Sequence, residues 1–351
     1  MPIDMKELHV PDDSFWAAGT RSKDPVVRQH GRSYFGVIVD APWVVNLTAR
    51  STLPVFIYYM GEYKQVVTRS FSEHGILAVM DVDQNKLRVC RSSKAAGTDE
   101  EPDPDFQVPR DDSPIMEGHS AEIETIDLRE RLHLPWKPTT LMLQAILLDL
   151  ASPRVTTRLV AGGSQFEDPE VRAFLERERA EKDPPAVVRG ASALAYPTFR
   201  RMASSPELPA EGGIALNVER VVAVDDRKPV LLHGAFRVPL APEDLVKPAH
   251  KEYNAAHGLI ADDGLPFAAV AQIHLLTIGS ADGDLNVYTL AAPVSSVTAG
   301  EKGPVGSGYF TIDLRTVPGL PFTDQTVFFY AFSRDQATGP AVMGVVDRRE
   351  K

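Results

Sequence analysis

The chain repeats itself, and this constrains its fold more than any single motif does. Residues 124–149 and 310–335, laid side by side at a shift of 186, are identical at ten of 26 positions. The identities include Thr125-Ile126-Asp127-Leu128-Arg129 over Thr311-Ile312-Asp313-Leu314-Arg315, Leu134-Pro135 over Leu320-Pro321, Thr140 over Thr326 and Asp149 over Asp335, while Trp136 faces Phe322. Ordinary amino-acid usage gives about one or two identities in such a window by chance. Weaker matches extend the pattern in the same order. Leu53-Pro54-Val55-Phe56-Ile57 resembles Lys228-Pro229-Val230-Leu231-Leu232, which places Tyr58 opposite His233. The apolar–turn–apolar stretch Ile76–Arg91 resembles Ala271–Leu290. Self-similarity at a long period marks a repeated structural unit. The expectation is two copies of one domain, at residues 30–163 and 212–349.

Within each copy the apolar runs are short and rich in Val, Ile, Phe and Tyr, and Gly, Pro and Asp separate them. That pattern reads as strands: Val44–Leu47, Pro54–Met60, Leu77–Val82 and Leu87–Cys90 in the first copy. The second copy offers Ala215–Val224, Val230–Val238, Ala269–Ile278, Leu285–Leu290, Tyr309–Leu314 and Val327–Phe332. Period-two alternation puts Val230, Leu232, Gly234, Phe236 and Val238 on a core face, with His233 and Arg237 on the other. Thr140–Leu150 is apolar without a break and fits a buried helix as well as a strand. Its repeat partner is aromatic and β-prone, which favours the strand. The predicted fold class is therefore all-β: tandem duplicated antiparallel β-sandwich domains, immunoglobulin-like or jelly-roll, joined by a short helical linker.

The linker is expected at residues 164–211. Asp168 with Pro169 reads as a helix start, Asp183-Pro184-Pro185 as its end, and Ser192–Met202 as a second helix. Residues 92–114 read as a long acidic, Pro-rich loop. Residues 1–29 carry few periodic apolar positions and are expected to form an extended arm, with Phe15 and Trp16 able to anchor it.

Composition narrows the function classes. With 37 Lys+Arg against 48 Asp+Glu in 351 residues, the formal net charge is −11. An acidic chain is poorly suited to nucleic acid, whose phosphates call for clustered cations. No apolar run reaches the roughly 20 residues that span a bilayer. No basic, then apolar, leader opens the sequence, and Cys90 is the single cysteine, so a cytoplasmic location is expected.

Catalytic motifs are weak. Gly190-Ala191-Ser192-Ala193-Leu194 lacks the second glycine of a nucleophile elbow. Cys90, late in a hairpin strand, reads as a small buried apolar residue. Gly300–Gly308 is glycine-rich but holds a proline and precedes a strand, so it reads as an interstrand loop and not a phosphate cradle. Asp81-Val82-Asp83-Gln84-Asn85 begins like a calcium loop, yet Lys86 and Ser92 stand where Gly and a bidentate Glu are required, so turn chemistry accounts for it. His233, His250, Glu252, His257 and His274 form the one candidate ligand or metal group. His250 and His257 would lie two helical turns apart, about 10 Å, which is too far for one ion. His233 and His274 could meet if their strands pair.

Trp43, Tyr58, Tyr59 and Tyr63 offer an aromatic surface or core packing. In the repeated Ile-Asp-Leu-Arg, the Asp is expected to cap a turn and the Arg to pair with it, a structural duty. No cofactor is expected. These readings favour a non-catalytic binding or scaffolding protein that engages a protein partner or self-associates through its sheet edges. The alternative is an enzyme or ligand carrier with a site between the copies or in residues 247–267.

Overall fold

The computed structural model describes residues 36–41, 44–47, 52–62, 71–91, 119–134, 136–161, 189–193, 199–224, 228–244, 269–281, 285–301, 303–317, 319–320 and 322–347. The chain divides into two compact units, one within residues 1–79 and 88–187, the other within 80–87 and 188–351.

Unit 1 contains β1 (Gly36–Asp40), β2 (Val44–Leu47), β3 (Pro54–Glu62), the single turn α1 (Phe71–His74), most of β4 (Ile76–Asp81) and β5 (Lys86–Arg91). β6 (His119–Asp127), the short helix α2 (Leu128–Leu132), β7 (Thr139–Leu147), β8 (Leu150–Ala151) and β9 (Val155–Ala161) complete it. One sheet has the order β1-β3-β6 and the other β2-β9-β7-β4-β5, with β8 paired to β7.

Unit 2 contains β10 (Arg189–Ala193), β11 (Gly213–Val218), β12 (Val221–Ala223), β13 (Leu231–Pro239), β14 (Val270–Gly279) and β15 (Leu285–Pro293). It continues with β16 (Ser296–Gly300), β17 (Gly303–Asp313), β18 (Gln325–Ser333) and β19 (Gln336–Val346). Its sheets run β11-β13-β17-β16 and β10-β15-β14-β18-β19-β12. Without β10 and β16, this is the strand order of unit 1.

Each unit is a sandwich because both of its sheets feed one core. In unit 1, Val37, Val55, Ile57 and Ile126 come from one sheet and Val45, Leu77, Val79, Leu141, Leu143 and Leu159 from the other. In unit 2, Leu232, Phe236, Phe310 and Ile312 meet Ile273, Leu275, Tyr288, Val327, Phe329 and Met343. Leu232, Phe236 and Val238 occupy the core as their strand phase predicts. Burying such a side chain stabilises the fold by roughly 1.5–3 kcal/mol. Thr140–Leu150 resolves as strand up to Leu147, where β7 ends in a turn at Leu148-Asp149 before β8, and Leu141, Leu143, Ala145 and Leu147 lie in the core.

The helical linker is overturned. The longest helix among the described residues is α2, with five residues. Where Ser192–Met202 was expected to be helical, β10 instead pairs in parallel with β15, Ala193 facing Thr289. Beyond Phe199 the chain makes a tight turn, with Met202 N donating to Ser205 Oγ at 2.9 Å. Pro206 and Pro209 then lack the N–H groups that a helix needs. The proposed helix from Asp168, the 1–29 arm, the 92–114 loop and the 247–267 insertion lie outside the described residues.

Two further corrections concern the strands. The sheets are not purely antiparallel, because β2 pairs in parallel with β9, β12 with β19 and β10 with β15. The expected single strand Ala215–Val224 is two strands. It breaks at Glu219-Arg220 so that the chain leaves one sheet as β11 and enters the other as β12.

Candidate functional site

Of the candidate histidines, His233 and His274 lie within the described residues, and they are held apart. His233 lies on β13 and His274 on β14, and those strands belong to different sheets of the sandwich. Both side chains point away from the shared core, so a layer of about 10 Å separates their faces. His233 is buried, and its Nδ1 is 2.9 Å from Thr311 Oγ1 on the neighbouring strand. Burial holds its pKa below the usual histidine range. The strand register pairs His233 with Thr311 and Phe56 with Thr125, so the first-copy equivalent of His233 is Phe56, and Tyr58 is two residues off. His250, Glu252 and His257 lie outside the described residues. Among the described residues no group of three or more His, Cys, Asp or Glu side chains converges on a metal-sized site.

His274 belongs to a buried polar cluster inside unit 2. Its Nε2 donates to the Asn85 carbonyl at 2.7 Å, which leaves Nδ1 to accept from Thr289 Oγ1 at 3.0 Å. This is the neutral tautomer, and burial depresses its pKa more than the Asn85 contact raises it. Asn85 Nδ2 donates to the Gln272 carbonyl at 3.1 Å, and Asn85 Oδ1 accepts from Arg334 N at 2.9 Å. The Arg334 guanidinium binds the carbonyls of Val82 at 3.2 Å and Asp83 at 3.4 Å, and pairs with Asp244 Oδ2 at 2.7 Å.

The calcium-like loop of the sequence is part of this cluster. Asp81 Oδ1 accepts from Gln84 N, three residues on, at 3.0 Å, so the carboxylate caps its own turn. The Val82 and Asp83 carbonyls of the loop face the guanidinium of Arg334. Arg334 also stands at φ 52°, a left-handed conformation that costs a non-glycine residue about 1–3 kcal/mol. Its hydrogen bonds hold it there.

The repeated Ile-Asp-Leu-Arg makes the same corner in both units. Asp127 Oδ1 accepts from Leu53 N at 3.1 Å and Arg129 N at 3.0 Å. Asp313 Oδ1 accepts from Val230 N at 3.1 Å and Arg315 N at 3.1 Å. The Asp caps its turn as expected, and each arginine lies over the aromatic ring that the repeat aligns with it. Arg129 lies 4.6 Å from the Trp136 ring centroid and Arg315 4.7 Å from that of Phe322. The Arg315 guanidinium also donates to the carbonyls of Lys228 at 2.9 Å, Ala223 at 3.0 Å and Val224 at 3.4 Å, so it holds neighbouring backbone as well as stacking on a ring.

Cys90 is fully buried, and burial pushes its thiol up to about 12, with Arg131 opposing. A thiol held protonated in this way is a poor nucleophile. Tyr58 and Tyr59 are buried, Tyr59 within the unit 1 core, while Trp43 and Tyr63 lie outside the described residues.

The glycine-rich stretch is a hairpin where a loop was expected. β16 and β17 pair from Ser296↔Ser307 to Gly300↔Gly303. Strand packing demands the glycines: a Cβ on Gly306 would press on Leu240 and Val294, and one on Gly308 on Phe236 and the Pro293 carbonyl. β16 closes the end of its sheet, and among the described residues no strand pairs with its outer side. All five of its residues are exposed, Val297 at 43%.

The direction of its free hydrogen-bonding groups can be deduced. Leu240 N donates to the Pro304 carbonyl at 2.9 Å, so Pro304 points its carbonyl towards β13. Its partner across the ladder, Ala299, therefore points its own N–H and C=O to the open edge, and by period two so does Val297. Sequence reasoning missed this strand. The available signal was Val294–Gly300, β-compatible and uncharged between a proline and a turn.

No protein-family model matches the chain. No curated protein matches it either. Among solved structures, that of the chicken interferon gamma receptor alpha chain is similar over 88% of this chain and 98% of that one, at 10% identity and a TM-score of 0.18. A likeness that weak carries no argument. The fold itself is all-β, in four sheets. No helix among the described residues is long and apolar enough to cross a membrane.

Proposed function

We propose that this chain is a non-catalytic binding protein built from two copies of one domain, which engages a protein partner by strand pairing along the open edge of β16. The observation that carries the reading is the exposure of all five β16 residues on an edge that no strand among the described residues pairs with. Proteins ordinarily protect such edges with lysine, inward charge or proline, because unpaired N–H and C=O groups recruit another strand. Here residues 291–300, AAPVSSVTAG, carry no charge, and the one proline precedes the strand. Strand addition to an open edge is a general mode of peptide recognition. The matched strand order of the two units and the paired Asp corners support the duplication.

The test is selection of short unstructured segments from a displayed library against the full chain held dilute on a surface. Enriched segments should bind wild type and lose about tenfold or more in affinity for Val297→Lys, which places a charge on the open edge. Absence of enrichment, or binders indifferent to Val297→Lys, would overturn the reading.

A further inference from the structure

We infer that the strand which β16 accepts is β16 of a second copy of this chain, in antiparallel register about a two-fold axis at Thr298. The inference rests on the binding role proposed above and names its partner. The outward-pointing residues are Val297 and Ala299, two apart. Antiparallel pairing of the strand with itself about Thr298 sets Val297 opposite Ala299 of the second copy, and Ala299 opposite its Val297. Each pair then exchanges both backbone hydrogen bonds, so every outward group of the strand finds a partner. Neighbouring registers do worse. Centring on Val297 brings in Ser295, whose N–H is already donated to the Ser307 carbonyl at 2.8 Å, and centring on Ala299 sets Val297 against Glu301.

Charge favours the same occupant. A chain of net charge −11 repels its own copies over most of its surface, so a self-contact needs a neutral patch. Residues 291–300 supply one. The carboxylate nearest in sequence, Glu301, would sit six residues from its symmetry mate along the ladder, about 20 Å at the usual strand rise. That exceeds the Debye length of about 8 Å at physiological salt. On the face shared with Gly306, pairing covers the exposed Val297. On the opposite face Thr298 meets Thr298 of the second copy in a non-hydrogen-bonded pair, with Cα atoms about 4.5 Å apart, and Thr–Thr cross-strand pairs are favourable.

The experiment uses the full chain and has two parts. Sedimentation over a concentration series should show a monomer–dimer equilibrium. Val297→Lys and Ala299→Pro should each weaken it by about tenfold or more while far-UV circular dichroism stays unchanged. Ala299→Pro removes only an outward N–H, so the β16–β17 ladder survives. In the second part, Thr298→Cys should form a covalent dimer with oxidised glutathione, since the facing Cα atoms lie within disulfide range. Ser296→Cys, whose partner in this register is Gly300 of the second copy, should not cross-link. Cys90 is buried and gives no background. A dimer insensitive to both edge variants, or equal cross-linking at residues 296 and 298, would overturn the inference. A chain that stays monomeric throughout would also overturn it, yet would leave the partner-binding reading standing if selected segments still depend on Val297.

Discussion

Replacing Asp127 or Asp313 with Ala should cost about the same, because the two carboxylates do the same work in separate sandwiches. Each Oδ1 accepts from the N–H two residues on and from the N–H that opens a long strand, Leu53 or Val230. Leu53 is 0% exposed and Val230 2%, so water cannot replace the lost acceptor. An unpaired buried donor costs about 1–3 kcal/mol and the lost turn cap about 1 kcal/mol, for a total of about 2–4 kcal/mol at either site. Asp→Asn keeps an oxygen at the same place but loses the charge assistance, so it should cost about half as much. Urea denaturation followed by tryptophan fluorescence and circular dichroism gives the magnitudes. Amide exchange gives the location: Asp127→Ala should deprotect Leu53, and Asp313→Ala should deprotect Val230. Losses below about 1 kcal/mol at both sites, or unchanged protection at those amides, would refute the reasoning.

Asp244→Ala should destabilise the chain by about 3–5 kcal/mol in urea titrations, because it leaves the buried Arg334 charge without its carboxylate. His274 is neutral in the fold, with a pKa below its ordinary 6.5. The unfolded chain therefore binds more protons below that value, and stability should fall as pH drops from 6.5 through the depressed pKa. The slope of denaturation midpoint against pH should be shallower in His274→Gln. Gly308→Ala forces a methyl against Phe236 and should cost about 1–3 kcal/mol, read as a lowered Tm. Cys90 should resist alkylation in native buffer at pH 8 and react fully in denaturant, as mass spectrometry would show.

The architecture was legible where periodicity and the repeat spoke together. The β7 stretch was ambiguous alone, and its aromatic partner in the second copy settled it as strand. The equivalence of Tyr58 with His233 failed for a specific reason. A slip of two residues keeps every side chain on its proper face, so apolar patterning cannot detect it. Only the ladder, which fixes Phe56 to Thr125 and His233 to Thr311, can do so. The helix at Ser192 failed because local capping residues lost to pairing with a distant strand, which no window of sequence displays. The Arg334 cluster was equally hidden, since Asn85 and Arg334 are 249 residues apart. The candidate edge is present in the sequence as a short uncharged run, but the neighbouring glycines carry the pattern of a loop.

The parallel closures carry a consequence for how the chain reaches this state. In each unit a strand near the start seals against the last strand: β2 waits for β9, from Val44 to Arg158, and β12 waits for β19, from Val221 to Gly344. Such distant pairings must pay loop entropy before they gain anything, so they form late and slowly. Until then two half-built sheets with the same strand order, ending in the same Thr-Ile-Asp-Leu-Arg, coexist on one polypeptide. A strand of one can dock in the vacancy meant for its counterpart in the other. Refolding from denaturant should therefore yield a persistent swapped fraction. Emergence from a ribosome, which offers the first set of strands before the second exists, should avoid it.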